Sequence, residues 1–255
     1  MTLYGQATRL PDDWQSQIGS VADKIVLITG STRGLGCSAA KAFAQRGACV
    51  AVHGRSEASA QSIADSILAS GGKACGFGAD LANPSEARLL VEATIAHFGG
   101  LDVLINNGAI LPDDAQPLWS RDNDLLSALI TNVVAPFETS MATMRWIMQA
   151  AVPGRIINIS SEVANLSKPL RTGSTMYSIS KIALEGTSAY LAAEAESADI
   201  VIGTLRVPTT NTDMIRSRYD WDARPPPREP QTVALMYLWA ATATADEVHG
   251  RIRTS

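Results

Sequence analysis

Residues 29–36 read Thr29-Gly30-Ser31-Thr32-Arg33-Gly34-Leu35-Gly36, and this glycine-rich stretch decides the fold. It follows a short apolar run at 24–28, which predicts a buried strand, and it leads into a helix-like segment at 37–43. Glycines let the backbone approach a ligand closely, and a helix N-terminus offers free N–H donors with partial positive charge. Strand, turn and helix in this order therefore indicate a seat for a phosphate or pyrophosphate group.

Apolar runs and helical segments alternate along the rest of the chain. Further strands are predicted at 49–53, 74–79, 101–105, 155–160 and 200–207. Helices are predicted at 57–70, from 84 to near 99, at about 122–149 with a bend at Pro136, and at 175–196. Such alternation implies right-handed crossovers and a parallel sheet covered on both faces. The predicted fold class is α/β: a single doubly wound, Rossmann-like domain with a parallel sheet of six to seven strands and helices on both faces.

The domain boundaries follow from the same pattern. Residues 1–22 look like an irregular N-terminal arm ahead of a domain at 23–255, and Trp14 is expected to hold the arm to the body or to a neighbouring subunit. Two loops are expected to cover a substrate pocket, at 162–176 and at 210–231.

Composition excludes several classes of function. A chain of 255 residues with net charge −4 argues against an extended nucleic-acid surface. No apolar run is expected to reach the roughly 20 residues of a membrane span, and the N-terminus does not resemble a secretory signal. Cys37, Cys49 and Cys75 lack metal-binding spacing, so we expect no metal site and three reduced, mostly buried thiols in a cytoplasmic protein.

The residues after the second strand bear on cofactor choice. Binding of NAD usually needs an acidic residue there to hold the ribose hydroxyls, whereas this chain has Arg55. Together with Arg33 in the glycine-rich turn, Arg55 suits a 2′-phosphate, which favours NADP over NAD. Asp80 after the third strand has two interpretations: an acceptor for the adenine amine, or the N-cap of the helix that starts at Pro84.

Polar residues that could carry out chemistry fall near the same edge of the sheet. Tyr177 and Lys181 lie one turn apart on one helix face, and Ser160 and Ser161 end a strand. The segment Asn106-Asn107-Gly108-Ala109 ends another strand, and Asn132 lies within the long helix.

Taken together, these motifs resemble those of the short-chain dehydrogenase/reductase family, over about residues 23–250. The resemblance implies hydride transfer between NAD(P)(H) and a carbonyl or alcohol carbon. Its implied catalytic residues are Asn132, Ser161, Tyr177 and Lys181. Its implied cofactor-binding residues, with those argued above, are Gly30, Ser31, Thr32, Arg33, Gly34, Leu35, Gly36, Arg55, Asp80, Leu81, Asn107, Gly108, Tyr177, Lys181, Pro208 and Thr212.

The resemblance also implies a role for each catalytic residue. Tyr177 would be the general acid in reduction and the base in oxidation, and the Lys181 ammonium would lower its pKa and hold the nicotinamide ribose. Ser161 would hydrogen-bond the substrate oxygen. Asn132 would hold a water that links Lys181 to solvent. Strand alternation points Ser160 and Ser161 to opposite faces, and the family pattern favours Ser161.

Three departures from the family pattern stand out. Gly108-Ala109 replaces the usual Ala-Gly order, Pro208-Thr209 replaces Pro-Gly, and the last strand is short. The short strand weakens one usual subunit interface, whereas helices near 122–149 and 177–195 could form the other, so a homodimer or homotetramer is expected.

The sequence of the two loops that are expected to cover the substrate pocket is less specific about function. Basic and aromatic residues in the two loops could bind an anion, a ring or an acyl chain, or could be solvated: Lys168, Arg171, Arg216, Arg218, Tyr219, Trp221, Arg224 and Arg228. The leading prediction is an NADP-dependent carbonyl reductase acting on a small ketone or secondary alcohol. The alternatives are an NAD-dependent alcohol dehydrogenase working oxidatively and a non-catalytic nucleotide-binding regulator; a dehydratase or epimerase is less favoured.

Overall fold

A computed structural model describes residues 7–112, 124–167, 173–195, 199–216 and 226–255. The strands are β1 Ala7–Arg9, β2 Ile25–Ile28, β3 Cys49–Gly54, β4 Lys73–Gly78, β5 Val103–Asn106, β6 Gly154–Ser161, β7 Ile200–Val207 and β8 Ile252–Thr254. The helices are α1 Gly34–Ala44, α2 Glu57–Ala69, α3 Pro84–Phe98, α4 Leu125–Leu129, α5 Ala135–Ala150, α6 Thr175–Glu194, α7 Asp213–Arg216, α8 Pro230–Thr242 and α9 Ala245–Val248.

All eight strands form one parallel sheet in the order β1-β8-β7-β6-β5-β2-β3-β4. The doubly wound α/β prediction is therefore confirmed, although the sheet has eight strands instead of six to seven. From β2 to β4 successive strands are added on one side of the sheet, and from β5 to β8 they are added on the other side. The carboxyl ends of β2 and β5 therefore open a crevice, where ligands bind in such folds.

The extra strand comes from the N-terminal arm, which was expected to be irregular. β1 pairs with β8, and Leu10 behind it is buried, with its N–H bonded to the Thr254 carbonyl at 2.8 Å. Trp14 packs against the same apolar cluster as Leu10, so it holds the arm to the body of its own chain. β8 is indeed short, and β1 covers its outer edge.

Two apolar layers sandwich the sheet because successive strand residues face opposite sides. In β2, Val26 and Ile28 join the cluster beneath α1, α2 and α8, whereas Leu27 joins the cluster beneath α3, α5 and α6. This burial on both faces explains why the strands read as continuous apolar runs.

The long helix predicted at 122–149 is interrupted. A π-helical turn at Ile130–Val134 separates α4 from α5, and Pro136 follows it immediately. Pro136 cannot donate to the carbonyl of Asn132 and its ring crowds that turn, which accounts for the break in the α-helical pattern. Residues 122–123 of the prediction lie outside the described ranges.

The stretch Leu125–Ala150 also has the length and composition of a membrane span, with a mean hydropathy of 1.3. The expectation that no apolar run reaches the length of a membrane span is therefore wrong for this stretch. In the fold α5 packs against α3, β5 and β6, and 39% of the most apolar window of the stretch is buried.

Other details correct the sequence interpretation. Asn83, not Asp80, caps α3: its side chain accepts from the Ser85 N–H. The three cysteines are free as expected but partly exposed instead of mostly buried. The loop predicted at 162–176 contains a 3₁₀ turn at Glu162–Ala164 and ends where α6 begins at Thr175.

Candidate active site

A cleft of about 2220 Å³ runs along the carboxyl ends of the strands. It reaches from Arg55 and Asp80 at one end to Ser161, Tyr177 and Lys181 at the other. Nearly all of the predicted cofactor-binding residues line it; the exception is Ser31, which is fully buried. The topology therefore brings together side chains that are separated by more than 100 residues in sequence.

The glycine-rich turn forms the floor of the cleft. Gly30 has a φ of +63°, and a Cβ there would lie 2.7 Å from the Gly108 Cα. A Cβ on Gly36 would collide with the Gly30 carbonyl oxygen. The N-cap residue of α1, Arg33, makes no capping hydrogen bond with its side chain, and the first residues of the helix, 34–36, line the cleft. This uncapped helix end, in a cradle that only glycine fits, suits an anionic phosphate group.

Neighbouring polar side chains hold this turn rigidly. Asn107 Nδ2 donates to the carbonyls of Thr29 and Gly30 at 2.8 and 3.1 Å. Thr29 Oγ1 accepts from the N–H groups of Asn107 and Gly108 at 3.0 and 2.9 Å. The hydroxyl of Tyr237 donates to Asn107 Oδ1 at 2.9 Å. Asn107 thus acts mainly by joining the ends of β2 and β5, and Gly108 fits closely against Gly30.

His53 is a second support that the sequence interpretation missed. Its Nδ1 accepts from the Gly30 N–H at 2.9 Å, and its Nε2 lies 3.0 Å from the Ala79 carbonyl, which it contacts as a donor. Burial lowers the pKa of His53, so the ring stays neutral in this tautomer. The sequence signal that could have identified His53 is its position as a polar residue at the carboxyl end of a buried strand.

Arg33 and Arg55 are exposed and line the cleft. Neither guanidinium bonds to any residue in the described ranges. Both are therefore free to meet an anionic ligand group. Asp80 lines the cleft beside Leu81, with its Oδ1 accepting from the Ala82 N–H at 3.0 Å.

Tyr177 and Lys181 meet as the helical spacing predicts. Lys181 Nζ lies 5.6 Å from the centroid of the Tyr177 ring and donates to the Ile159 carbonyl at 2.7 Å. Lys181 is buried, and this burial lowers its pKa to about 8, an effect that the Glu185 carboxylate opposes. An ammonium group beneath a tyrosine ring stabilises the phenolate form.

Ser160 and Ser161 have different surroundings. Ser160 is buried, and its hydroxyl donates to Glu185 Oε1 at 2.6 Å. Ser161 is half-buried on the cleft, where its Oγ accepts a long bond from the Val163 N–H at 3.4 Å. Of the two serines, Ser161 is the more exposed, and the hydroxyl of Ser160 is engaged by Glu185.

Asn132 is fully buried and bonds to protein groups. Its Oδ1 accepts from the Ile110 N–H at 2.8 Å, and its Nδ2 donates to the Ile110 carbonyl and to Ser180 Oγ, each at 2.9 Å. Ser180 in turn donates to the Tyr177 carbonyl at 2.7 Å. The Asn132 side chain thus links the segment after β5 to α6, and the water that Asn132 is expected to hold for Lys181 stays a prediction.

The turn after β7 is closed despite lacking the usual glycine. Thr210 Oγ1 donates to the Pro208 carbonyl at 2.8 Å, and the Arg228 N–H donates to the Thr209 carbonyl at 2.9 Å. Thr212 lies against Gly34, 3.2 Å from where a Cβ on Gly34 would stand. The other loop residues predicted to meet substrate, Lys168, Arg171, Arg218, Tyr219, Trp221 and Arg224, lie outside the described residues.

The sequence of this chain is similar to those of known oxidoreductases. Residues 24–223 match the family model of short chain dehydrogenases. The chain belongs to the short-chain dehydrogenase/reductase family of oxidoreductases. A 3-oxoacyl-[acyl-carrier-protein] reductase of Vibrio cholerae is 31% identical over 197 residues, which cover 77% of this chain and 78% of that protein.

Solved structures of the family superpose over nearly the whole chain. A short chain dehydrogenase from Burkholderia cenocepacia in complex with NADP gives a TM-score of 0.80 at 28% identity, covering 92% of this chain and 97% of the other. A blue fluorescent protein from a metagenomic library in complex with NADPH gives 0.80 at 29% identity, with the same coverage of 92% and 97%.

Proposed function

We propose that this protein transfers a hydride between NADP(H) and a ketone or secondary alcohol. One observation carries the proposal: the glycine-rich turn and the Ser161, Tyr177 and Lys181 side chains line a single cleft, with Lys181 buried beneath the Tyr177 ring. When bound, the nicotinamide supplies or accepts the hydride, and the chain supplies position and electrostatics.

Four side chains of this protein would transfer the proton, stabilise charge and position the reacting groups. Tyr177 gives its proton to the substrate oxygen in reduction and takes it back in oxidation. Lys181, charged at neutral pH, favours the phenolate and holds the nicotinamide ribose. Ser161 hydrogen-bonds the substrate oxygen as negative charge develops there. We assign Asn132 a positioning role, since its bonds fix Ser180 and the segment after β5.

The choice of NADP is supported by two guanidinium groups that have no bonded partner among the described residues. In this proposal Arg33 and Arg55, which line the cleft, bind the 2′-phosphate, and Glu57, the first carboxylate after β3, is not among the residues that line it. Two related structures contain NADP or NADPH. The relative named as a 3-oxoacyl-[acyl-carrier-protein] reductase supports the reductive direction.

A homodimer or homotetramer in the cytoplasm is part of the proposal. Exposed apolar and aromatic side chains on α4, α5 and α6 offer a surface for a second copy: Leu126, Phe137, Met148, Ile179 and Tyr190. The molar mass in solution, measured for the wild type and for Met148→Glu, tests this surface. The mass of the variant should be lower, and an unchanged mass contradicts the proposed surface.

The cofactor proposal is tested by fluorescence titration with NADPH and NADH side by side. Arg55→Ala should weaken NADPH binding by roughly 10- to 100-fold, the worth of a charge-assisted hydrogen bond, and leave NADH binding unchanged. Arg46→Ala removes an exposed cation outside the cleft and serves as the control. Equal losses for both nucleotides would favour the NAD-dependent alcohol dehydrogenase, and nucleotide binding without turnover on any carbonyl or alcohol would favour the regulator.

A further inference from the structure

A buried cluster of charged and polar side chains lies one helical turn beyond Lys181. Arg206 Nε and Nη2 donate to the two carboxylate oxygens of Glu185 at 2.9 and 2.7 Å, and Ser160 Oγ donates to one of them at 2.6 Å. The side chains of Arg206 and Glu185 are only 5% and 8% exposed. This cluster is not among the residues that the family resemblance implied.

The cluster joins three elements of the fold. Ser160 on β6 and Arg206 on β7 are partners in the sheet register, and both reach Glu185 on α6. Lys181, on the same helix, bonds to the Ile159 carbonyl, which immediately precedes Ser160. Two side chains of α6, one turn apart, are thus anchored to adjacent residues of the strand that ends at Ser161.

Stability alone gives a weak reason for a buried ion pair here. Removing two charges from water costs about as much as their attraction returns, and apolar side chains of the same volume often stabilise a fold equally well. A carboxylate four residues after Lys181 on the same helix has a second effect, because it favours the charged form of a lysine that burial disfavours.

We propose that Glu185, oriented by Arg206 and Ser160, is a positioning residue that keeps Lys181 charged and aligned beneath Tyr177. The inference rests on the proposed function, because it acts through the lysine that would activate Tyr177. The two donors keep the Glu185 carboxylate ionised and fixed. The carboxylate then keeps Lys181 protonated, and the ammonium keeps the phenolate of Tyr177 accessible near neutral pH.

The test replaces the pair by Glu185→Met together with Arg206→Met, which leaves neither member of the ion pair buried without the other and nearly preserves volume. The readout is the ionisation midpoint of Tyr177, taken from phenolate absorbance as the difference between each protein and its Tyr177→Phe counterpart. We expect this midpoint to rise by about one pH unit, because Lys181 loses its counter-charge. The acid limb of alcohol oxidation should move to higher pH by the same amount, and activity should return at alkaline pH.

Ser188→Ala is the matched control. It removes another buried hydrogen bond between α6 and β6, from Asn158 Nδ2 at 3.1 Å, without changing charge. The Tyr177 midpoint should not move in this variant. If the double variant does not fold by circular dichroism, Glu185→Gln removes the charge with little change of shape and should shift the midpoint in the same direction.

The ionisation of Tyr177 is measured without cofactor or substrate, which separates the two proposals. An unshifted midpoint in a folded double variant, or a shift of equal size in Ser188→Ala, overturns the role of Glu185 even if the wild type turns over. A wild type that binds no nucleotide overturns the proposed function, while a shifted midpoint still supports the link from Glu185 to Tyr177.

Discussion

Single residues at the cleft combine a chemical role with a dependence on buried neighbours. Lys181 bonds to the Ile159 carbonyl and lies under the Tyr177 ring, and Asn132 reaches Tyr177 through Ser180. Lys181 and Tyr177 are therefore each held by a neighbouring residue, Ile159 and Ser180. Precise placement of this kind is what converts ordinary side chains into efficient proton donors and charge stabilisers.

Replacing Tyr177 by Phe tests the proposed proton transfer directly. Turnover should fall by roughly 100-fold or more, the usual worth of a general acid or base, while nucleotide affinity stays within a few-fold. Steady-state kinetics and fluorescence titration measure the two quantities. Tyr190→Phe is the control, since that ring lies on the same helix and is 80% exposed. Near-normal turnover in Tyr177→Phe would exclude the role.

His53 predicts a pH dependence of stability. Because burial lowers its pKa below the ordinary value near 6.5, the unfolded chain binds the proton more readily than the folded one. The contribution of neutral His53 is complete above about pH 6.5 and is lost as the pH falls below it, by about 1.4 kcal/mol for each unit of pKa difference.

Urea unfolding between pH 5 and pH 7 measures this dependence. His53→Asn keeps an acceptor for the Gly30 N–H without a titrating ring, so its stability should vary less with pH than that of the wild type. His97→Asn, at an exposed position on α3, should retain the wild-type slope. Identical slopes in all three proteins would contradict the prediction.

At the scale of elements, the first strand–turn–helix unit shows how close packing and ligand binding depend on the same glycines. The turn between β2 and α1 contacts the turn after β5 through Gly30 and Gly108. No side chain fits between the two turns, because a Cβ on Gly30 would lie 2.7 Å from the Gly108 Cα. Sequence spacing predicted the unit, and its packing leaves no room for a side chain at Gly30 or Gly36.

Two glycine-to-alanine substitutions should therefore act in opposite directions. Gly36→Ala pushes a methyl group into the Gly30 carbonyl and should cost roughly 1–3 kcal/mol in stability, along with most nucleotide affinity. Gly186→Ala adds a methyl group in open space on α6 and should stabilise the fold by about 0.5–1 kcal/mol. Chemical denaturation measures both changes, and equal effects would show that the turn relaxes around the added group.

At the scale of the whole molecule, the N-terminal arm completes the sheet beside the candidate site. Thr254 on β8 donates to the carboxylate of Glu162, the residue after Ser161, at 2.6 Å. β8 pairs with β7 on one side and with β1 on the other. The arm continues across α8, where Gln17 accepts from Trp239 Nε1 at 3.4 Å. β1 and β8 thus lie at the same edge of the cleft, which Arg9 and Thr254 line.

Leu10→Ala tests how much the arm contributes to the fold. Leu10 is 7% exposed, and truncating a buried leucine costs about 2–5 kcal/mol. The free energy of unfolding should fall by an amount in this range. Leu166→Ala, at a position 64% exposed, should change it by less than about 0.5 kcal/mol. A loss at Leu10 no larger than that at Leu166 would mean that the arm is only loosely attached.

The sequence by itself determined the layered fold, the glycine-rich turn and the Tyr177–Lys181 pair. These features depend on local periodicity and spacing, so they can be predicted from neighbouring residues along the chain. Apolar runs defined six of the strands, whereas β1 and β8 are three residues each and carry too little pattern to predict their pairing.

Only the tertiary structure decided the supporting contacts. His53 under Gly30, Asn132 against Ile110, Tyr237 on Asn107 and the Glu185–Arg206 pair join residues that are 21 to 130 positions apart. No local pattern encodes such contacts, because each depends on which strands become neighbours and which faces they turn toward one another. Burial then fixes their chemistry, since a polar group removed from water must find a partner within the fold.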